Sequence, residues 1–99
     1  MARFDVFLRL DGAGYLLDCQ ADLLADLATR FVVPLLPPAA APRPATRLNP
    51  SLVTAGEPYV MVTQFAAAVR RSELGARVDN RRDDADRIVG ALDLLITGV

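Results

Sequence analysis

The sequence contains no histidine, no tryptophan and no lysine, and a single cysteine in 99 residues. Without histidine, the commonest general base, the usual serine and cysteine triads and the commonest metal ligand are all missing. A catalyst built from this chain would work with Arg, Asp, Glu, Tyr, Ser and Thr. One cysteine excludes an intrachain disulfide framework and a multi-cysteine zinc site. Cys19 sits in an apolar stretch and reads as a small buried hydrophobe. No metal and no cofactor is expected.

Long apolar runs are absent too. No stretch approaches the ~18 apolar residues of a membrane span. The opening "MARFDVFLRLDG" alternates instead of forming the apolar block of a secretion signal. A reducing cytoplasm is the expected compartment, with no membrane partner. Nor is there an excess of one charge: 11 basic and 12 acidic residues leave a net −1. This argues against a stand-alone nucleic-acid binder, which normally carries a basic face. All the basic residues are Arg, which with the many Ala residues reads as a GC-rich coding bias.

What is present is apolar: 53% of residues are hydrophobic and the mean hydropathy is +0.28. That is too apolar for disorder, and the length suits one domain over 1–99. A domain this small has a modest core, and its spare apolar surface suits a partner such as a second copy of the chain.

Periodicity locates the elements. "RFDVFLRL" alternates, which predicts a half-buried strand with Phe4, Val6, Leu8 and Leu10 inward and Arg3, Asp5, Phe7 and Arg9 mostly outward. "DGAG" turns the chain, and "YLLDCQ" returns as a second strand. Leu23, Leu24 and Leu27 match helical spacing, but Ala21 to Thr29 reads equally well as an irregular connection. "RFVVPLLP" is rich in β-formers, with Pro34 marking a strand edge or bulge. The proline-rich Pro37 to Thr46 is an excursion within the domain, not a helix. Leu48 to Thr54, "AGEP" and Tyr59 to Phe65 read as strand, turn and strand. Ala66 to Gly75 is helical by propensity. The final segment is a helix with Asn80 as its cap and acids in the first turns. Its apolar face is Ala85, Ile88, Val89, Leu92, Leu95 and Ile96, and Gly98 is a left-handed terminator. At least five antiparallel strands and one long terminal helix predict a mainly β fold, a small barrel or strongly bent sheet with the helix packed on it.

Few motifs carry chemistry. The run Arg70 to Asp84 mixes both signs and reads as solvated surface. "DGAG" lacks the strand-to-helix context of a phosphate loop. Asp83, Asp84 and Asp86 cannot all face one way on a helix, so dipole complementation explains them better than a metal. Thr63 and Ser72 have no histidine to activate them. The closing "LLITGV" is different. Leu92, Leu95 and Ile96 are expected to pack on the sheet, whereas Leu94 and Val99 exceed what one buried face needs. Two such helices beside a two-fold axis would bury that excess.

Taken in order, "FDVF", "LDCQADLL", "RFVVPL", "LNPSLVTAGEPYVMVTQ" and the helix to "LLITGV" resemble the CcdB family along the whole chain. No single motif carries the likeness; order and length do. The resemblance implies a small SH3-like barrel (CcdB/MazF-like) with a C-terminal helix, paired into a homodimer through Leu92, Leu95 and Ile96. It implies the toxin of a toxin–antitoxin pair, a poison that binds the DNA gyrase A subunit and traps the enzyme on cleaved DNA. It implies neutralisation by a CcdA-like antitoxin, with operator DNA contacted through the antitoxin complex. On this basis the chain is expected to be an inhibitor and not an enzyme.

The implied gyrase-binding positions are Leu23, Leu24, Asp86, Gly90, Asp93, Thr97, Gly98 and Val99, with Ala85 beside them. The family's closing Trp-Gly-Ile becomes Thr97-Gly98-Val99, so the aromatic anchor is replaced. The resemblance also makes Ala66 to Val78 extended, against the helical propensity. Two alternatives stay open: an endoribonuclease toxin of the related MazF type that works through Arg and acidic residues, and a non-toxic member that only binds antitoxin.

Overall fold

The "DGAG" turn joins the first two strands because two of its residues reach the left-handed region, Gly12 at φ 79° and Gly14 at φ 88°. A side chain at Gly14 would also collide with the Leu35 carbonyl of the neighbouring strand. The computed structural model describes all residues, Met1–Val99. Strand β1 (Asp5–Arg9) pairs antiparallel with β2 (Tyr15–Asp18), and β2 pairs with β3 (Thr29–Leu36). The connection between β2 and β3 holds only a short 3-10 turn, Asp22–Leu24.

β3 is the hub of the sheet. One edge carries β2; the other carries β6 (Ala67–Arg70) over its first half and β5 (Glu57–Met61) at its end. Pro34 sits where the second edge changes partner, between the Val32–Ala67 and Leu35–Met61 pairs. Its carbonyl accepts from Val62 N–H on that side at 3.0 Å. The missing proline donor therefore falls at the handover and not in a continuous ladder. This corrects the expectation of a strand edge or bulge: Pro34 lies inside the strand. β4 (Ser51–Thr54) hairpins with β5 through Ala55 and Gly56, both in the left-handed region. The proline-rich excursion before it is pinned by Asn49, whose side chain accepts from Ala45 N–H and donates to the Met61 carbonyl and Gln64.

The helix expected over Ala66 to Gly75 is not formed. The chain runs as β6, a 3-10 turn at Arg71–Glu73, and β7 (Leu74–Asn80), which pairs with the outside of β1. β6 lies on β3 and β7 on β1, so the segment bends across the molecule and curls the sheet into a half-barrel. Pairing with two strands outweighs the alanine preference for helix, and the extended conformation that the family resemblance implied holds. Gly75 permits the bend, since a side chain there would press on the Leu8 carbonyl.

The curl also corrects the reading of β1. Asp5, Val6 and Phe7 are all buried, while Leu8 and Leu10 are exposed. Both faces of β1 are covered at its start, so strict alternation fails there. The core packs Val6, Leu17, Val33, Leu35, Leu52 and Met61 of the sheet under Ile88, Ala91 and Leu92 of helix α1 (Ala85–Thr97). The helix starts later than expected: Asn80 ends β7, and its side chain accepts from Arg82 N–H at the following 3-10 turn.

Thr54 is fully buried and its hydroxyl has no partner. Such an orphan costs about 1–3 kcal/mol. Thr54→Val keeps the shape and removes the orphan. The variant is expected to be more stable by about 1 kcal/mol, read as a higher urea midpoint at unchanged slope.

Candidate functional site

Helix α1 is anchored at its start and bare at its end. Arg81 donates to Asp84 through Nε at 3.0 Å and Nη2 at 2.8 Å, and Arg87 reaches the same carboxylate at 3.2 Å. Arg87 Nη2 also donates to the Ser51 carbonyl at 2.6 Å, which ties the helix to β4. Asp84 thus works through ion pairs as well as the helix dipole, and it holds Arg81 firmly charged. The last turn is different. Gly98 adopts φ 78° and its N–H donates to the Leu94 carbonyl at 3.0 Å, the expected left-handed stop. The Thr97 hydroxyl donates back to the Asp93 carbonyl at 2.7 Å, so it is satisfied within the helix.

The apolar excess lies at this end. Leu92 is core, but Leu95, Ile96 and Val99 are 43%, 74% and 77% exposed. The expectation that Leu95 and Ile96 pack on the sheet is therefore corrected: the stripe rolls off the core after Leu92. Asp86, Gly90, Asp93 and Thr97 follow at steps of four, three and four, which places them on one helix face. Asp86 and Gly90 line a cleft of about 370 Å³ with Thr46, Arg47, Pro50, Arg87 and Ala91. Gly90 has open space where a side chain would stand. Leu23 and Leu24 belong to the separate Asp22–Leu24 turn, and Leu23 is 93% exposed.

Sequence reading missed Arg47 and Arg87 on that cleft, because loop and helix meet only in the fold. It also missed a polar cleft of about 710 Å³ between the start of β1 and β7, lined by Ala2, Asp5, Arg77, Val78, Asp79, Asn80 and Arg82. The buried Asp5 carboxylate organises it. Arg77 Nε donates at 2.8 Å, Asn80 Nδ2 at 2.9 Å and Ala2 N–H at 2.8 Å. Burial alone pushes the Asp5 carboxyl up, but these donors together outweigh it and hold it below the ordinary carboxylate value. Asp5 in turn raises Arg77. A carboxylate that is more acidic in the folded state contributes stability above its unfolded value, and that contribution is lost as pH falls. Stability is expected to decline from about pH 5 downward, with a shallower acid limb in Asp5→Asn, measured by urea melts across pH. Elsewhere Cys19 is buried, and burial pushes its thiol up to about 12, so it is inert. No helix is long and apolar enough to cross a membrane.

Comparison with known proteins follows the same lines. The family model described as "CcdB protein" matches residues 3–98. No curated protein matches the chain. Among solved structures, "Endoribonuclease from Mycobacterial species" superposes with a TM-score of 0.74 at 14% identity, covering 94% of this chain and 88% of that one. "Endoribonuclease in complex with its cognate antitoxin from Mycobacterial species" gives a TM-score of 0.75 at 15% identity, covering 94% and 91%. These likenesses are of fold. They overturn the expectation of a protein that is not an enzyme, because its fold is also that of named endoribonucleases.

Proposed function

This chain belongs to the CcdB family of toxin–antitoxin toxins, and from that membership we propose that it binds the DNA gyrase A subunit through the end of helix α1. The observation that carries this reading is the bare apolar end of a helix whose other end is firmly anchored: Leu95 and Ile96 are open to a second copy of the chain, and Val99 beyond them to gyrase. An apolar helix end of this kind stabilises a protein contact when it leaves water. In the homodimer, Leu95 and Ile96 lie beside the two-fold axis, with the core residue Leu92 supporting them from beneath, and two Thr97-Gly98-Val99 tails are presented together. Asp86, Gly90 and Asp93 continue the contact along one helix face, and Leu23 and Leu24 add a second apolar contact. Binding traps the gyrase–DNA cleavage complex in the cytoplasm. A CcdA-like antitoxin neutralises it, and operator DNA is reached only through that complex. The test is a gyrase cleavage and supercoiling assay with purified protein, with and without co-encoded antitoxin. Unchanged gyrase at micromolar toxin sinks the gyrase reading.

A second reading is favoured by the fold likeness to endoribonucleases. The cleft over Gly90 holds Arg47 and Arg87 beside Asp86. A carboxylate can accept the proton of an attacking 2′-hydroxyl; as the O2′–P bond forms, the P–O5′ bond breaks and the departing 5′-oxygen takes a proton from water, while guanidinium groups stabilise the charge on phosphorus. On this reading the purified protein cleaves RNA and Arg47→Ala abolishes cleavage while leaving the fold intact. Intact RNA after prolonged incubation removes it.

A further inference from the structure

We propose that Gln20 is a positioning residue for the gyrase contact: its buried amide fixes the shape of the β2–β3 connection, which presents Leu23, Leu24 and Leu27 together. On the gyrase reading, on which this rests, Leu23 and Leu24 form the second apolar contact, and Leu27 now joins them.

β2 and β3 are antiparallel neighbours, and such a pair needs a loop of only about two to five residues. The chain between them, residues 19–28, is longer. None of residues 21–29 is buried, and Leu23, Leu24 and Leu27 are 93%, 49% and 49% exposed. None of the three leucines is part of the hydrophobic core. A segment without apolar anchors is ordinarily loose, but this one is tied down by polar groups. Gln20 is 8% exposed and bridges the two ends of the connection. Its Oε1 accepts from Phe31 N–H at 2.9 Å, and its Nε2 donates to the Leu24 carbonyl at 2.8 Å. Asp22 Oδ1 accepts from Arg3 N–H at 2.8 Å, and Arg71 Nη2 donates to the Ala25 carbonyl. Within the segment, the Leu24, Ala25 and Leu27 N–H groups donate to the carbonyls of Ala21, Asp22 and Leu24.

Polar groups therefore hold the segment while its leucines face water. Satisfying backbone groups accounts for the hydrogen bonds, but not for the display of three leucines on an ordered frame. Ordering a chain costs conformational entropy. A loop that is ordered before encounter does not lose that entropy on binding. Gln20 acts through the leucines and touches no partner itself.

The experiment compares two variants with the parent. Gln20→Met keeps the length of the side chain and removes both of its hydrogen bonds. Asp22→Ala, at an exposed position, removes the tie to Arg3 and leaves the interior alone. Should Gln20→Met not fold, Asp22→Ala carries the same comparison. Backbone amide relaxation reads the order of the connection in the free proteins, and calorimetric titration with purified gyrase A subunit reads binding. The expected result is faster motion confined to the β2–β3 connection and binding weakened about tenfold, with the loss in entropy. Rescue separates positioning from simple stabilisation. Ala21 has φ −58° and its N–H makes no hydrogen bond, so proline fits there and stiffens the connection. Adding Ala21→Pro to either variant is expected to regain about threefold in affinity. A purely structural role would lower the urea midpoint and leave the affinity of the folded protein unchanged. The proposal is overturned if the connection moves as in the parent, if a loosened variant binds gyrase as tightly as the parent, or if the proline regains nothing. A parent that does not bind gyrase removes the gyrase reading and this inference with it, whereas unaltered variants beside a binding parent remove this inference alone.

Discussion

Arg30→Ala is expected to cost the fold about 3–5 kcal/mol. Arg30 and Asp18 are both fully buried. Arg30 Nε donates to Asp18 Oδ2 at 2.8 Å, and Nη2 lies 2.6 Å from the same oxygen without hydrogen-bond alignment. Nη1 has no partner at all. The other Asp18 oxygen accepts from Gln20 N–H at 3.0 Å, where β2 ends. Removing the guanidinium leaves a carboxylate in the interior with one neutral donor, and a buried unpaired charge is far costlier than the pair is favourable. Against the 5–15 kcal/mol typical of a domain, about half of the stability disappears. The companion variant discriminates. Replacing Asp18 and Arg30 together by Leu and Met removes both charges and the orphaned donor, so the double variant should recover most of the loss. Urea denaturation of both variants reads the result. A single variant within about 1 kcal/mol of the parent would show that water reaches the site.

Thr97→Trp is expected to tighten the gyrase complex by about 2 kcal/mol or more, which is about thirtyfold in Kd. Thr97 is exposed on the last helical turn and its hydroxyl bonds only to the Asp93 carbonyl, so the substitution leaves the fold untouched. A tryptophan there would add a large rigid surface between Ile96 and Val99, and such residues carry most of the energy of compact interfaces. Deleting Gly98 and Val99 works in the opposite sense: it takes away the exposed Val99 and unravels the left-handed stop. Gyrase cleavage titrations with the three proteins give the ordering Trp variant, parent, deletion. If the three titrate alike, the tail is not the contact, and the RNA-cleavage assay becomes the deciding one.

Much of the fold was legible because it rests on short-range rules. Two glycines in "DGAG" specify the β1–β2 turn, and three- and four-residue spacing with Gly98 specifies the helix and its end. The reading failed where a local preference met a distant partner. Ala66 to Gly75 has helical propensity, but each residue of β6 has a partner on β3 that lies about forty positions away. Nothing in the spacing of Asp18 and Arg30 announces that both are sealed in the core. The positions proposed to face gyrase follow from the family resemblance alone; the structure adds which of them share a helix face and a cleft.

The sequence by itself determined the class of fold, the hairpin, the terminal helix and the family, since period, turn chemistry and residue order are local or cumulative properties. Only the tertiary structure decided which side chains are free to act. Closure of β6 and β7 around β3 and β1 buried both faces of β1, built the Asp5–Arg77 cleft, and left β7 with an open edge. The same closure gave α1 a platform that ends at Leu92, so Leu95, Ile96 and Val99 project beyond it. Burial depends on what arrives from elsewhere in the chain, and no stretch of sequence contains that by itself.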